Sequence, residues 1–300
     1  MKNNILLKIT GGIGDTLVAL PAIKELSKSY NVDLLLRDGS RSDYGEVIDI
    51  ICQYNPYVND MIPFEDYITY KKMFKKYDRV GLVLAYYLDQ EVTLNNNRSR
   101  YKYVAEQLGV SDCNHTDIDM FLQKHEIDYA KNLLKEYKKT IIINPIKLRK
   151  NEWLNEGKSI NKNIWEEVIT SFPDYTFIQL GLSLDSIDLD HLPNVVNMVD
   201  KTTIRESGAL MYIADYYILL DSFLNHIAGG MNKKGITIWG ATSPQTYGYE
   251  CSTNLWVHPG CAPCRIQDPN YLFDQEPCCM RYTGIPINSK EIIQVVSEEL

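Results

Sequence analysis

Two segments of this 300-residue chain answer each other across its halves. LLKITGGIGDTLVALPAIKEL spans residues 6–26, and YYILLDSFLNHIAGGMNKKGITIWGATSP spans residues 216–244. Each runs an apolar strand into a turn rich in Gly or Asp and then into a helix. An α/β domain presents ligand-binding groups in this way, at the carboxyl ends of its strands. Two such units predict an α/β chain with two Rossmann-like domains and parallel sheets facing a central cleft. A chain of 300 residues suits two domains of about 150 each.

The periodicity between these segments fits that frame. Strands are expected at ILLKIT (5–10), VDLLLR (32–37), GLVLAYYL (81–88), TIIINP (140–145), YTFIQLG (175–181), VVNMVD (195–200) and YYILLD (216–221), with GITIWG (235–240) as the last. Helices are expected over 16–30 (capped by Asp15 or Thr16 and kinked at Pro21), 43–53, 69–80, 98–110, 126–139, 163–172, 203–214, 225–231 and 289–300. The strand TIIINP opens a new run of βα units. The boundary is therefore placed near residue 138, giving domains 1–138 and 139–300.

Net charge is −8, which argues against a general nucleic-acid binder. Residues 1–150 carry 22 Lys+Arg against 20 Asp+Glu, so the acidity lies in the second half. No apolar run reaches the ~18 residues that span a bilayer. Lys8 and Asp15 interrupt any apolar stretch of a signal peptide. The expected location is cytoplasmic, with at most peripheral contact at the inner face of a membrane. Lys71, Lys72, Lys75 and Lys76 around Met73, Phe74 and Tyr77 form either a basic surface for an anionic acceptor or a solvated helix face.

The chemistry concentrates in the two turns. In GGIGDTL, Gly12 and Gly14 allow close approach of the backbone to a ligand, and the following helix offers free N–H groups to an anion. Leu17 stands where the dinucleotide fingerprint has a third Gly, and no GxxxxGK[ST] phosphate loop is present. Asp15 is either a helix cap or a carboxylate exposed in the cleft as a general base. In DSFLNH, Asp221 ends a strand, Ser222 can cap the next helix, and His226 lies one turn on. A helix N-terminus there suits a diphosphate. His226 taken alone is also read as a structural histidine.

Together these segments resemble glycosyltransferase family 9, the ADP-heptose:lipopolysaccharide heptosyltransferases. GDTLVALPAI resembles its GD-x-x-L-x-x-P-A-[IL] stretch, and DSFLNHIAGGMNKKGITIWGATSP resembles its D-[ST]-G-x-x-H-[LI]-A signature with the strand that follows. KSINKNIWEEVI is similar to its lysine-bearing helix start, and CAPCR with CM to its C-terminal tail. The resemblance implies a GT-B fold and an inverting, metal-independent sugar transfer from a nucleoside-diphosphate sugar, with an ADP-sugar such as ADP-heptose favoured. The acceptor would be a hydroxyl of a glycan, a protein or another bacterial or viral substrate. It maps the catalytic base onto Asp15 and donor-phosphate contacts onto Lys158, Asp221, Ser222 and His226. Phe223 stands where the family has Gly, and Ile160-Asn161 where it has Trp-Pro. Lys147, Lys150 and Lys162 are therefore rivals to Lys158.

Of the seven cysteines, Cys261, Cys264, Cys278 and Cys279 are spaced for a structural Zn or Fe site, with free thiols or a disulfide as alternatives. His258 or Cys251 is a substitute ligand. No catalytic cofactor is expected, and the oligomeric state is not read from the sequence. Two other classes fit the same features. One is an epimerase or hydrolase of nucleotide sugars on the same fold; the other is a catalytically degenerate binding module, favoured by Phe223.

Overall fold

The computed structural model describes residues 2–36, 45–63, 67–83, 99–146, 158–184, 186–257 and 284–300. Four strands form the first sheet: β1 (Asn3–Ile9), β2 (Tyr30–Leu35), β3 (Asp60–Ile62) and β4 (Arg79–Val83), in the order β3-β2-β1-β4. The second sheet has six: β5 (Thr140–Ile143), β6 (Thr176–Gln179), β7 (Val195–Asn197), β8 (Tyr216–Leu220), β9 (Gly235–Trp239) and β10 (Ser252–Trp256). Their order is β10-β9-β8-β5-β6-β7. Every pair in both sheets is parallel. The order reverses between β1 and β4 in one sheet and between β5 and β8 in the other. At such a switch point the flanking loops part and leave a crevice beyond the carboxyl ends of the strands. The expected α/β fold with two parallel sheets is the one observed.

The central strands are buried runs because helices cover both faces, whereas β3, β4, β7 and β10 at the edges stay partly exposed. β5, β8 and β9 are buried along their whole length. The covering helices are α1 (Ile13–Ser27), α2 (Gly45–Cys52), α3 (Tyr67–Phe74), α4 (Arg100–Gln107), α5 (Lys124–Leu134), α6 (Lys162–Thr170), α7 (Ile204–Ile213), α8 (Phe223–Gly230), the short α9 (Pro244–Tyr247) and α10 (Ser289–Glu299). Among the described residues no helix is long and apolar enough to cross a membrane. Lys71, Lys72, Lys75 and Lys76 are exposed, at and just beyond the end of α3.

The halves share one apolar core. Ile5, Leu7, Leu17 and Ile23 of the first half lie in the same buried cluster as Leu210, Leu219, Leu224 and Ile227 of the second. A second cluster, with Ile141, Trp165, Phe177 and Ile292, covers the other side of the second sheet. Helix α8 packs so closely on the turn at His115–Asp117 that a Cβ on Gly230 would stand 2.0 Å from the Ile118 carbonyl oxygen. Backbone cannot step aside as a side chain can. Gly230→Ala is therefore expected to cost about 1–3 kcal/mol or more, read as a lower denaturant midpoint at unchanged slope. An unchanged midpoint would mean that the two halves do not meet there.

Several expectations are corrected. Helix α1 starts at Ile13, not 16, with Gly12 as N-cap and Asp15 one turn inside. It runs through Pro21 as a single element. The helix expected over 69–80 ends at Phe74, and Arg79 and Val80 belong to β4. GITIWG is not the last strand, because β10 pairs beyond it. Residues 84–88 of the expected strand GLVLAYYL lie outside the described residues.

Candidate functional site

Strand β1 delivers the chain into Gly11, whose φ of 118° is open to glycine and rarely to other residues. That turn aims the first N–H groups of α1 into the crevice. Asp15 caps the turn: its Oδ2 accepts the Gly12 N–H at 2.8 Å. Its Oδ1 accepts from Arg100 NH2 at 2.5 Å. The carboxylate read as a cap or as an exposed base therefore caps the turn and is also paired, with 22 % of its side chain exposed. Arg100, on α4, is itself buried. It also donates from NH1 to the Tyr247 hydroxyl at 2.9 Å and lies 5.3 Å from the centre of that ring. Tyr247 belongs to α9, so one guanidinium joins the carboxylate of the first half to the second half.

On the other side, β8 ends at Asp221, which is buried. Its Oδ2 accepts from Lys158 Nζ at 2.7 Å and from Thr242 Oγ1 at 2.6 Å. Burial works to raise the Asp221 carboxyl, and Lys158 with the two hydrogen bonds outweighs it, so the group sits below the ordinary carboxylate value. Lys158 keeps about a quarter of its side chain exposed. Lys158 follows β5 in the chain and Asp221 follows β8, so the pair belongs to the two strands that bound the switch point.

Helix α8 then begins. Ser222 is its N-cap, but the Oγ makes no capping bond and is buried without a partner among the described residues. The capping expected of this hydroxyl is not observed. Phe223 turns into the shared apolar cluster. Asn225, fully buried, accepts from Thr237 Oγ1 and donates to the Tyr247 carbonyl at 3.1 Å. His226 is buried, and its Nδ1 lies 2.7 Å from the Tyr249 hydroxyl. Burial pulls its imidazole down to about 4, with Arg100 and Lys158 acting the same way and Asp221 against.

The first turns of α1 and α8 meet here. A Cβ on Gly14 would lie 3.0 Å from His226 Cδ2 and 3.2 Å from Nε2. Gly14 thus gives His226 room to approach closely rather than forming a turn, and Gly12 serves as the cap. Asp15, Lys158, Asp221, Ser222 and His226 all lie at strand ends or the helix starts beyond them, around one seam. Sequence reasoning missed Arg100, Tyr247 and Tyr249. Lys147 and Lys150, the rivals of Lys158, lie outside the described residues, as do Cys261, Cys264, Cys278, Cys279 and His258. Lys162 pairs with Glu166 on the exposed face of α6, away from Asp221. Among the described residues no group of three or more His, Cys, Asp or Glu could hold a metal.

The arrangement offers a carboxylate at one wall and a cation with a helix N-terminus at the other. Such a pair can deprotonate one group while stabilising negative charge on another.

Comparison with known proteins follows the same lines. Residues 187–271 match the family model of glycosyltransferase family 9 (heptosyltransferase). That span holds the DSFLNH…GATSP segment on which the resemblance was drawn. No curated protein matches the chain. A glycosyltransferase family 9 structure from Veillonella parvula superimposes with a TM-score of 0.69 at 15 % identity, over 99 % of this chain and 96 % of that one. The E. coli ADP-heptose lipopolysaccharide heptosyltransferase II gives 0.60 at 13 %, over 99 % and 100 %. The dodecameric iron-containing heptosyltransferase TibC of enterotoxigenic E. coli, in complex with ADP-D-β-D-heptose, gives 0.66 at 14 %, over 99 % and 76 %. At such identities the likeness is one of fold, and the fold is that of GT-B heptosyltransferases.

Proposed function

With the glycosyltransferase family 9 pattern in its second half as premise, we propose that the chain is an inverting glycosyltransferase. It moves a sugar from a nucleoside-diphosphate sugar, with ADP-heptose the favoured donor, to a hydroxyl acceptor. Residues 139–300 hold the donor and residues 1–138 the acceptor. The observation that supports this most is the packing of His226 against Gly14, next in the chain to Asp15, with Asp15 tied through Arg100 to Tyr247 of the second half and Asp221 paired with Lys158.

In this reading the acceptor hydroxyl gives its proton to Asp15. Its oxygen attacks the anomeric carbon from the face opposite the diphosphate. The carbon–oxygen bond to the phosphate breaks, and the electron pair leaves on the nucleoside diphosphate. Lys158 and the N–H groups at the start of α8 take up that charge. Arg100 holds Asp15 in aim through the attack. Asp221 and Thr242 hold Lys158. TibC is recorded with ADP-D-β-D-heptose, which supports an ADP-sugar as the first donor to try.

Thermal unfolding with ADP, UDP, GDP and CMP side by side tests the donor half. A ligand at ~100 times its dissociation constant adds about 2.7 kcal/mol, a rise of several degrees. ADP is expected to give the largest rise. No rise with any of the four, on folded protein, would remove the donor site. Product analysis with and without acceptor then separates transfer from hydrolysis of the donor.

A further inference from the structure

Tyr249 belongs to neither of the segments that define the site, yet its hydroxyl meets His226 Nδ1 at 2.7 Å. We propose that Tyr249 is a positioning residue that locks His226 as the neutral Nε2–H tautomer, so that the ring donates a hydrogen bond to an oxygen of the nucleoside diphosphate. The proposal rests on the donor site described above and deepens it.

The fold makes room for this contact. A Cβ on Gly229 would lie 2.4 Å from the Tyr249 ring, so only glycine at that point of α8 lets the ring lie against the helix. Tyr249 is buried, and its carbonyl accepts from Asn254 Nδ2 at 3.0 Å, which ties it to β10. Its ring meets the His226 ring edge to face, and the His115 ring lies 5.6 Å away. The ring therefore has little freedom to turn its hydroxyl elsewhere.

The tautomer follows from donor and acceptor counting. A buried hydroxyl needs an acceptor. Among the described residues, the hydrogen-bond partner of the Tyr249 hydroxyl is His226 Nδ1. Burial holds the phenol well above its ordinary value, so it stays a donor. A ring nitrogen that accepts carries no proton, and the neutral ring then carries its one proton on Nε2. Burial, Arg100 and Lys158 all oppose a charged imidazole. Nε2 stands over Gly14, at the seam with the first turn of α1. A neutral donor there strengthens its bond as charge grows on the leaving diphosphate, with no further cation to desolvate. No proton is transferred by His226 in this scheme.

Long-range ¹H–¹⁵N correlation spectra of the whole chain read histidine tautomers directly. The His226 signals are identified by their loss in His226→Gln. Wild type is expected to show the Nε2–H pattern in the free protein, and ADP is expected to shift the Nε2 resonance. Tyr249→Phe keeps the ring and removes the hydroxyl. It is expected to give mixed tautomers and about a tenfold loss of kcat, the size of one lost hydrogen bond. An Nδ1–H or imidazolium pattern in the wild type overturns the proposal, whether or not Tyr249→Phe folds. So does a Tyr249→Phe protein that keeps both the tautomer and kcat, or an ADP complex that leaves Nε2 unmoved. If ADP does not bind at all, the donor reading falls and takes the phosphate role with it, although the tautomer is still read in the free protein.

Discussion

Asp15→Asn is expected to keep its fold at some loss of stability, to bind nucleoside diphosphate equally well and to lose at least ~10² in kcat. The expected split between binding and turnover comes from the placement of the residue. Asp15 sits in the first half, one turn inside α1, while Lys158, Asp221 and Ser222 sit in the second. A donor held by the second half gains nothing in its ground state from a carboxylate that acts on the acceptor. The fold is kept because an amide oxygen can still accept the Gly12 N–H that closes the first turn, while the buried Arg100 loses its counter-ion and some stability goes with it. What asparagine lacks is the basic oxygen that receives the proton as the acceptor attacks. Arg100 still stacks on Tyr247 and keeps the two halves joined. A kcat within about threefold of wild type would remove Asp15 from the mechanism. A parallel loss of ADP affinity would place it among the donor contacts instead.

The parts of this site that could be read in the sequence are those carried by local pattern. A buried parallel strand, a turn with glycine or aspartate and a capped helix occupy one continuous stretch, so Gly12, Gly14, Asp15, Asp221 and His226 announce themselves. That both sheets are parallel follows from the alternation of strands and helices, whereas their strand order does not. Arg100 lies 85 residues from Asp15 and was hidden for a physical reason. An arginine in RYKYVAEQ, among Lys102 and Glu106, reads as one face of a solvated helix, and only tertiary packing buries it. Strand β10 was hidden for another. STNLW is polar at three of its five positions and, among the described residues, pairs on one side, so it lacks the apolar run of its neighbours. Yet Asn254 in that strand takes the Trp239 indole N–H and holds the Tyr249 carbonyl. Ser222 looked like a helix cap, and its hydroxyl has no partner among the described residues at the N-terminus of α8. The twin roles of Gly14 and Gly229, each making way for a ring from elsewhere in the chain, have no local signature either.

Glu126→Gln is expected to destabilise the protein by about 3–5 kcal/mol, more than any change in the cleft. Glu126 on α5 and Arg205 on α7 are both buried, and they pair through two bonds, Nε to Oε1 at 2.5 Å and NH2 to Oε2 at 3.0 Å. Arg205 also donates to the carbonyls of Met120 at 2.9 Å, Phe121 at 3.1 Å and Ile50 at 3.2 Å. One side chain of the second half thus ties together α5, the segment before it and the end of α2. Removing the carboxylate charge leaves a cation buried without its counter-ion, and that desolvated charge is the cost. Burial works to raise the Glu126 carboxyl, and the bonds from Arg205 and the Gln123 N–H overcome it, so its folded value lies below the ordinary one. The stabilisation is therefore complete above the unfolded value near ~4.3 and fades as pH falls through the lower folded value. Guanidinium titrations at pH 7 and in mild acid check both points: the gap between wild type and Glu126→Gln should narrow as the wild-type carboxyl is protonated. Replacing both partners, Glu126→Leu with Arg205→Met, should cost less than the two single changes summed, because neither charge is left alone, although three carbonyls then lose a donor. The joint also predicts how the halves separate. Wild type should unfold in one transition because the core and this network cross between the sheets. Glu126→Gln should broaden or split that transition as the second sheet outlasts the first. A single sharp transition within about 1 kcal/mol of wild type would show that Glu126 and Arg205 are not the tie between the halves.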